Sequence, residues 1–279
     1  MIGTPIGNPR DISPRALDVI RSAAVVACED TRRTGRLLAD HGIVRPMVSY
    51  FDHNEERRSR ELLARLAEGD DIALVSDAGT PAISDPGFRL VRAALDAGVN
   101  VVAIPGPSAL TAALSIAGLP TDRFVFEGFL PAHTTSRRNV LSGLQRERRT
   151  MVFFEPARRL GETIAAMAAI FGGDREAAIV REMTKTYEET ARGTLAELTE
   201  RYGKENALGE VTIVVAGASE ESPSASAEDR ITVEELRAAG LSLKDAAALV
   251  ARLTGTGRRE VYQKALRKAD RDRAEREPE

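Results

Sequence analysis

The sequence is short of the residues from which covalent and metal-bound sites are most often built. Among its 279 residues there are one cysteine and three histidines. The single cysteine, Cys28, excludes an internal disulfide and a zinc site made of several cysteines. His41, His53 and His133 are too far apart in the sequence to predict a metal cluster. We therefore expect chemistry that needs no bound metal.

Long apolar runs are missing as well. No stretch approaches the ~20 apolar residues that a membrane-spanning helix needs, and no secretory leader is visible. Hydrophobic residues nevertheless make up 43% of the chain, which at this length is enough to form buried cores. These features predict a folded cytoplasmic protein that does not associate with membranes.

Lysine is scarce, since only five of the 39 basic residues are lysines and the rest are arginines. Codon bias in a GC-rich genome explains this, and so does the suitability of the planar arginine side chain for binding phosphate. The net charge of −3 argues against tight non-specific binding to nucleic acid. It leaves room for a local basic surface that binds one structured RNA.

The first 120 residues alternate short β-branched runs with amphipathic segments, as in a parallel sheet covered by helices. Ser13 followed by Pro14 predicts the start of a helix, and Glu55–Glu68 places its leucines on one helical face. The predicted strands are Ala24–Ala27, Met47–Tyr50, Asp71–Val75 and Asn100–Ile104.

A second α/β domain is predicted for residues 121–217. Its predicted strands are Phe124–Phe126, Thr150–Phe154, Ala177–Arg181 and Gly209–Ala216, with helices at Ser136–Gln145 and Leu160–Ile170. Residues 218–230 are polar and contain serine and proline, which is typical of a linker. Residues 231–279 contain three short helical patterns, Val233–Ala238, Ser242–Leu253 and Arg259–Lys268, which are compatible with a helix-turn-helix module.

Four loops rich in glycine or proline follow predicted strands or the N-terminal residues. They are Gly3–Asn8, Val75–Gly87, Ile104–Ala109 and Phe154–Pro156. Ligands of open α/β sheets bind beyond the carboxyl ends of the strands, and glycine lets the backbone approach a ligand closely. Neither a dinucleotide fingerprint nor a P-loop is present. We expect a binding site for a flat polar molecule such as an adenosine.

Several segments resemble the ribosomal RNA small subunit methyltransferase I family, which lies in the tetrapyrrole-methylase-like superfamily. The resemblance covers residues 3 to about 217 in order, and Asp77–Gly87 is its most specific part. The segments are Thr4–Asn8, Glu29–Thr34, Asp52–Glu55, Ser76–Gly87, Pro105–Ala109, Phe126–Pro131 and Arg181–Lys185.

This resemblance implies two α/β domains with S-adenosylmethionine in the cleft between them, usually in a homodimer. It also implies 2′-O-methylation of a decoding-centre cytidine in 16S ribosomal RNA within the 30S subunit. By position in the family's motifs, the residues expected to contact the cofactor are Pro5, Asp77, Ala78, Gly79, Thr80, Ile83, Ser108, Ala109, Phe154 and Glu155.

The sequence departs from the family at its beginning. The resemblance implies an apolar strand before Thr4, but only Met1, Ile2 and Gly3 precede it here. Loss of buried strand residues costs roughly 1.5–3 kcal/mol each. We therefore expect the loop that contains Pro5 to be weakly anchored.

A methyl-transfer site must orient the ribose oxygen and remove its proton. Orientation is worth ~7–11 kcal/mol and a general base ~10²–10⁴-fold in rate. Asp30, His53 and Asn54 are candidate catalytic residues. Asp30 is equally suited to capping the helix that begins at Thr31, and an exposed helix start is the alternative explanation of His53 and Asn54. Asp85 is interpreted as folding its own loop.

RNA contact is predicted for two groups of basic side chains. The first lies between residues 137 and 149 and the second between residues 252 and 268. A solvated helix face is the alternative explanation of such runs. The predicted RNA-binding residues are Arg137, Arg138, Arg258, Arg259, Lys264, Arg267 and Lys268.

Two other functions are compatible with the same fold. One is methylation of a tetrapyrrole in cobalamin or sirohaem synthesis, against which the basic helical extension argues. The other is a non-catalytic role in ribosome assembly. Methyl transfer to uroporphyrinogen would identify the first, and cofactor binding without transfer to 30S subunits would identify the second.

Overall fold

The computed structural model describes residues 1–203, 209–219, 233–238, 240–254, 257–259, 261–263 and 265–266. Contacts divide the chain into two compact units, Met1–Ser219 and Glu220–Glu279. The division falls inside the segment that the sequence predicts as a linker. Residues 220–230 of that segment lie outside the described residues.

Helices and strands alternate along the first unit. Its helices are α1 (Pro14–Ser22), α2 (Thr31–Asp40), α3 (Glu55–Ala67), α4 (Phe88–Asp96), α5 (Ala109–Ala117), α6 (Thr134–Leu144), α7 (Leu160–Phe171) and α8 (Leu195–Tyr202). Its strands are β1 (Val25–Cys28), β2 (Met47–Ser49), β3 (Ile72–Leu74), β4 (Phe124–Phe129), β5 (Thr150–Pro156), β6 (Glu176–Arg181), β7 (Glu189–Thr194) and β8 (Glu210–Val215). Two 3₁₀ helices, Pro9–Asp11 and Ala157–Arg159, complete the unit.

The first sheet is parallel, with the order β2-β1-β3. All four residues of the central strand β1 are buried, which explains why its sequence is apolar throughout rather than alternating. The predicted start of α1 is confirmed, because Ser13 Oγ accepts a hydrogen bond from the amide of Ala16 at 3.1 Å and Pro14 is the first helical residue.

The first residues of the chain extend this sheet. Ile2 is 1% exposed and pairs with Val75 on one side and Ile104 on the other. Its amide donates to the carbonyl of Leu74 at 2.9 Å, and the amide of Ile104 donates to the carbonyl of Met1 at 2.8 Å. The expectation that the following loop is weakly anchored is therefore wrong. The prediction that Asn100–Ile104 forms a continuous strand is also wrong, because only Ile104 forms a β-bridge, with Ile2.

The second sheet is mixed, with the order β4-β5-β8-β6-β7. Strands β4 and β5 run parallel, while β8 is antiparallel to both β5 and β6 and β7 is antiparallel to β6. The edge strand β7 is not predicted from the sequence, since its residues are mostly polar and small. A register shift between Phe126 and Gly128 interrupts β4.

Helix α5 connects the first part of the unit to the second sheet. Its Ala113, Leu114 and Ala117 are buried in one cluster with Val152 of β5 and Val214 of β8. The loop before α5 is thus held between the end of the first sheet and a face of the second. The predicted fold class, α/β with two sheets and helices towards the C-terminus, is confirmed.

The second unit is helical where it is described, with α9 (Val233–Ala238) and α10 (Leu243–Thr254). Val233, Ala246 and Ala247 form a small buried cluster. Residues 258–259, 261–263 and 265–266 are also helical, in agreement with the third predicted segment. Across both units, none of the helices that the structure describes is long and apolar enough to span a membrane.

Candidate active site

A cavity of about 350 Å³ lies in the first unit where the predicted loops meet. This volume is in the range of small-molecule sites. The first sheet contributes residues 77–80 and 83–85, together with Glu29 and Arg33. The second sheet contributes Phe129, residues 154–155 and residues 210–212. Ile6, residues 108–109, and residues 182, 183 and 185 close the remaining sides.

The backbones of three loops touch at one wall of this cavity. The amide of Thr4 donates to the carbonyl of Gly79 at 2.9 Å, and the amide of Gly79 donates back to Thr4 at 3.1 Å. A Cβ atom added to Gly3 would lie 2.7 Å from the Cα atom of Gly106. Real Cβ atoms do not approach backbone so closely, so glycine is required where these loops cross. This contact explains why both loops carry glycine.

Strained backbone is concentrated around the cavity. Gly79 has φ +88°, a conformation that favours glycine. In the described part of the chain, the four non-glycine residues with positive φ all lie in two loops at the cavity, Ala82, Ser84, Glu182 and Thr184. Each such residue costs about 1–3 kcal/mol, and strain of this kind clusters at functional sites.

The structure brings nearly all of the predicted cofactor residues together. Nine of the ten line the cavity, namely Asp77, Ala78, Gly79, Thr80, Ile83, Ser108, Ala109, Phe154 and Glu155. Pro5 does not line it, but the next residue, Ile6, does. Thr80 Oγ1 donates to the carbonyl of Pro107 at 3.3 Å, which ties the long loop to the loop before α5. Their cofactor role itself stays a prediction.

Carboxylates dominate the charged groups of the cavity wall. Six of them, Glu29, Asp77, Asp85, Glu155, Glu182 and Glu210, face two cationic side chains, Arg33 and Lys185. Part of this charge is neutralised locally. Asp77 accepts from Arg33 Nη1 at 3.2 Å and from the amide of Asp30 at 2.9 Å. Glu182 and Lys185 also form an ion pair, with 2.9 Å between Lys185 Nζ and Glu182 Oε1.

Two of these acids are harder to ionise than usual. Burial raises the pKa of Asp85 to about 6, helped by the negative charges of Asp77, Glu210 and Asp52 and opposed by a hydrogen bond from Ser76. Burial, together with the charges of Asp77 and Asp85, also raises the pKa of Glu29. Shifts of this kind are frequent at sites of proton transfer.

Glu155 is the most deeply buried acid of the cavity, at 1% exposure. Its Oε1 atom lies 2.6 Å from Arg159 Nε and accepts from Thr163 Oγ1 at 3.2 Å. Its Oε2 atom has no hydrogen-bond partner among the described residues. Burial is the main cause of its raised pKa. A buried carboxylate oxygen without a partner is expensive, so this atom is suited to receive a donor from a ligand.

An aromatic cluster borders the same wall. The ring of Phe154 packs edge-on against Phe126, with 4.8 Å between the ring centroids, and against Phe129 at 5.5 Å. Phe129 is exposed although it lines the cavity. The cavity wall therefore includes an apolar surface as well as its acidic groups.

The three predicted catalytic residues do not line the cavity. Asp30 caps α2, accepting from the amide of Arg32 at 2.8 Å, and its pairing with the Arg32 side chain lowers its pKa to about 2. His53 is exposed. Asn54 accepts from the amide of Phe51 at 3.0 Å and donates to the carbonyl of Ser49. Their catalytic role stays a prediction to which the geometry adds no support.

Glu29 and Asp85, two of the six acids that line the cavity, are not among the predicted catalytic residues. Glu29 directly follows β1 and precedes Asp30. Since consecutive side chains of an extended segment point in opposite directions, only one of these two neighbours can face the cavity. That alternation is a signal the sequence offers, but it does not say which of the two faces inward.

The structure gives one predicted RNA contact no support. Arg137 is only 2% exposed, because α6 turns it inward beside Leu141, and its Nη2 atom pairs with Glu162 at 3.0 Å. Arg138, Arg258 and Arg259 are exposed. Lys264, Arg267 and Lys268 lie outside the described residues.

No group of three or more histidine, cysteine, aspartate or glutamate side chains is arranged to hold a metal ion in the described ranges.

Comparison with known families follows the same division of the chain. Residues 1–199 match the sequence model of the tetrapyrrole (corrin/porphyrin) methylases, and residues 224–269 match the RsmI C-terminal HTH domain. The second match covers the segment where helices are described.

Several curated proteins are similar over nearly their whole length. A protein named ribosomal RNA small subunit methyltransferase I from Pseudomonas aeruginosa is 48% identical over 96% of this chain and 96% of its own. A protein of the same name from Mycobacterium tuberculosis is also 48% identical, over 94% of this chain and 92% of its own. One from Escherichia coli O157:H7 is 43% identical over 95% and 93%.

Solved structures of lower identity share the fold. Diphthine synthase matches with a TM-score of 0.60 and 21% identity, over 77% of this chain and 88% of that one. The cobalamin biosynthetic enzyme cobalt precorrin-4 methyltransferase matches with a TM-score of 0.58 and 19% identity, over 77% and 93%. These likenesses extend to the fold alone.

Proposed function

Because the chain belongs to the ribosomal RNA small subunit methyltransferase I family of the tetrapyrrole methylases, we propose that it methylates the ribose 2′-hydroxyl of a decoding-centre cytidine in 16S ribosomal RNA. S-adenosylmethionine is the methyl donor. The substrate is the RNA within the 30S subunit, which places the reaction in the cytoplasm, and the active form is a homodimer.

The observation that carries this proposal is the charge and shape of the cavity. S-adenosylmethionine carries a sulfonium and an ammonium group, and six carboxylates against two cations favour such a ligand. Gly79 and the loop before α5 offer backbone at close range, and the apolar wall around Phe154 suits a flat base. Glu155 Oε2, which is buried and without a partner among the described residues, can accept a donor from the ligand.

The sulfonium methyl, when bound, is already an electrophile. The protein's own residues therefore have two tasks. The loop from Asp77 to Asp85 and the start of α5 orient the two reactants, and orientation is the larger contribution, at ~7–11 kcal/mol. The backbone hydrogen bonds between Thr4 and Gly79 and the hydrogen bond from Thr80 Oγ1 to the carbonyl of Pro107 hold that loop in place for the task. The second task is to accept the proton of the hydroxyl.

The same acidic cavity disfavours RNA phosphates, since like charges repel in a partly buried site. The RNA backbone must then be held outside it. Exposed arginines such as Arg138, Arg258 and Arg259, with Lys264, Arg267 and Lys268 beyond the described residues, are proposed for this contact. Such contacts position RNA, whereas contacts near the cavity select the nucleotide.

The experiment is methyl transfer from labelled S-adenosylmethionine to 30S subunits that lack the modification, with the modified nucleotide mapped. Naked 16S RNA and uroporphyrinogen serve as comparison substrates. We expect a single 2′-O-methylated cytidine, with much faster transfer to 30S subunits than to either comparison. Transfer to uroporphyrinogen instead, or cofactor binding without any transfer, would refute the proposal.

A further inference from the structure

We propose that Asp85 is the catalytic residue that accepts the proton of the ribose hydroxyl during methyl transfer. This inference rests on the proposed function. It gives a catalytic role to a residue that, from the sequence alone, is interpreted only as folding its own loop.

The position of Asp85 is the first ground. It lines the cavity together with six other members of the same long loop, including Gly79, Thr80 and Ile83. Asp85 therefore borders the space in which the proposed reactants would meet, whereas Asp30, His53 and Asn54 do not line that space. Asp85 is partly buried, so it is sheltered from water but remains accessible from the cavity.

The way Asp85 is held is the second ground. The preceding residue, Ser84, has φ +63°, a strained conformation for serine. Opposite it, a Cβ atom at Gly128 would lie 3.1 Å from Ser84 Oγ, so the absence of a side chain at Gly128 leaves room for this turn. A strained residue of this kind persists only where the surrounding structure fixes its conformation, so the backbone that carries Asp85 is held in place.

The electrostatic surroundings are the third ground. Four acids face Asp85 from four elements: Asp77 in its own loop, Glu29 after β1, Asp52 after β2 and Glu210 at the start of β8. The other charged residues of the cavity are Arg33, Glu155, Glu182 and Lys185. Burial and the surrounding acids raise the pKa of Asp85 to about 6. A carboxylate so poised is still ionised at neutral pH but is a better proton acceptor than an ordinary aspartate.

A second observation marks the cavity as a ligand site independently of this acidic group. Glu155 is almost completely buried, lines the same cavity, and has an Oε2 atom without a partner among the described residues. The acids around Asp85 therefore belong to a site that is built to receive a polar ligand.

The proposed step is balanced. The oxygen of the ribose hydroxyl forms a bond with the methyl carbon, and the bond between that carbon and sulfur breaks, with its electron pair going to sulfur. The positive charge of the sulfonium is thereby neutralised. The hydroxyl proton moves to a carboxylate oxygen of Asp85, which releases it to solvent after the product leaves.

The first test measures single-turnover methyl transfer to 30S subunits across the pH range. The wild-type rate is expected to rise tenfold per pH unit and to level off above pH about 6. Asp85→Asn should lose this dependence, and its plateau should fall by on the order of 10²-fold or more. Asp85→Glu should recover part of the rate. Calorimetric affinity for S-adenosylmethionine should stay within about threefold in both variants.

Two controls keep the test independent of how well Asp85→Asn folds. Asp52→Asn removes an exposed acid that faces Asp85 without lining the cavity. Its plateau rate should stay within about twofold of wild type, while the rising part of its profile moves to lower pH. In the second control, carbon-13 NMR of the aspartate carboxyls, without cofactor or RNA, should contain one signal titrating near pH 6 that Asp85→Asn lacks.

The outcomes separate this inference from the proposed function. If the wild-type protein does not methylate 30S subunits, the proposed function and this inference both fail. If it does and Asp85→Asn keeps the rate and the pH profile, Asp85 is not the acceptor. The same follows if Glu29→Gln alone abolishes the pH dependence, or if Asp85→Asn acts only by losing cofactor affinity.

Discussion

The raised pKa of Asp85 makes a prediction about stability that can be measured without any substrate. A folded-state pKa above the unfolded value means that ionised Asp85 destabilises the folded protein. The destabilisation is absent below the unfolded value of 3.8, grows as the pH rises, and is complete above about 6. Replacing Asp85 by asparagine, which is uncharged and of the same shape, should therefore stabilise the protein at neutral pH.

The magnitude follows from the size of the change in pKa. A change from 3.8 to about 6 corresponds to ~3 kcal/mol, at about 1.4 kcal/mol for each tenfold change. Because the side chain is only partly buried, solvent screens part of this energy. We expect Asp85→Asn to raise the free energy of unfolding by roughly 1–2 kcal/mol at pH 7.5, with most of the difference gone near pH 4.

Urea unfolding of both proteins at a series of pH values measures this difference. Asp122→Asn is a matched control, since Asp122 is exposed, and it should change the free energy of unfolding by less than about 0.5 kcal/mol. The reasoning is refuted if Asp85→Asn is no more stable than wild type at pH 7.5. It is also refuted if the two proteins differ by the same amount at every pH.

Three further predictions concern the loop, the arginines and the extension. Gly79→Val should abolish calorimetric binding of S-adenosylmethionine while the circular dichroism spectrum stays native-like, because valine is strained at φ +88°; unchanged affinity in a folded variant would contradict the cofactor role of this loop. Arg137→Ala should lower the free energy of unfolding by about 2 kcal/mol and Arg138→Ala by less than about 0.5 kcal/mol. Only Arg138→Ala should weaken 30S binding directly. If instead Arg138→Ala destabilised the protein and Arg137→Ala weakened 30S binding, α6 would present a different face to the core. A chain ending at Ser219 should still bind S-adenosylmethionine but methylate 30S subunits at least about tenfold more slowly, since phosphate contacts are lost; full activity would reduce the extension to a solvated surface.

The sequence predicts most of the fold because the buried strands are apolar and rich in β-branched residues. This signal alone is enough to predict β1, β5 and β8. The strand β7 escapes it because an edge strand of polar and small residues has no apolar face to detect. The prediction for Asn100–Ile104 is wrong for the opposite reason. The segment has the composition of a strand, but only Ile104 forms a β-bridge with a neighbouring residue.

The residues of the site likewise fall into those that the sequence predicts and those that it does not. Glycine and proline mark the loops around Gly79 and Ser108 directly, because close backbone approach requires those residue types. The charged residues are less predictable, since their roles depend on direction and burial. Asp30 and Glu29 are neighbours of which only Glu29 faces the cavity. Arg137 belongs to a run of basic residues that reads as exposed, although its spacing of four residues from the buried Leu141 places both on one face of α6.

The crossing of Gly3 and Gly106 has a consequence for how the protein can change by mutation. Where two side chains clash, a smaller partner usually restores the fit, so substitutions can compensate for one another. Here each added methyl would meet main-chain atoms, at 2.7 Å from one side and 2.6 Å from the other, and no residue type removes a main chain. In a library that samples all pairs of substitutions, these two positions should be jointly intolerant and should yield no rescuing pair. A first substitution at either glycine therefore cannot be compensated by a second substitution at the other.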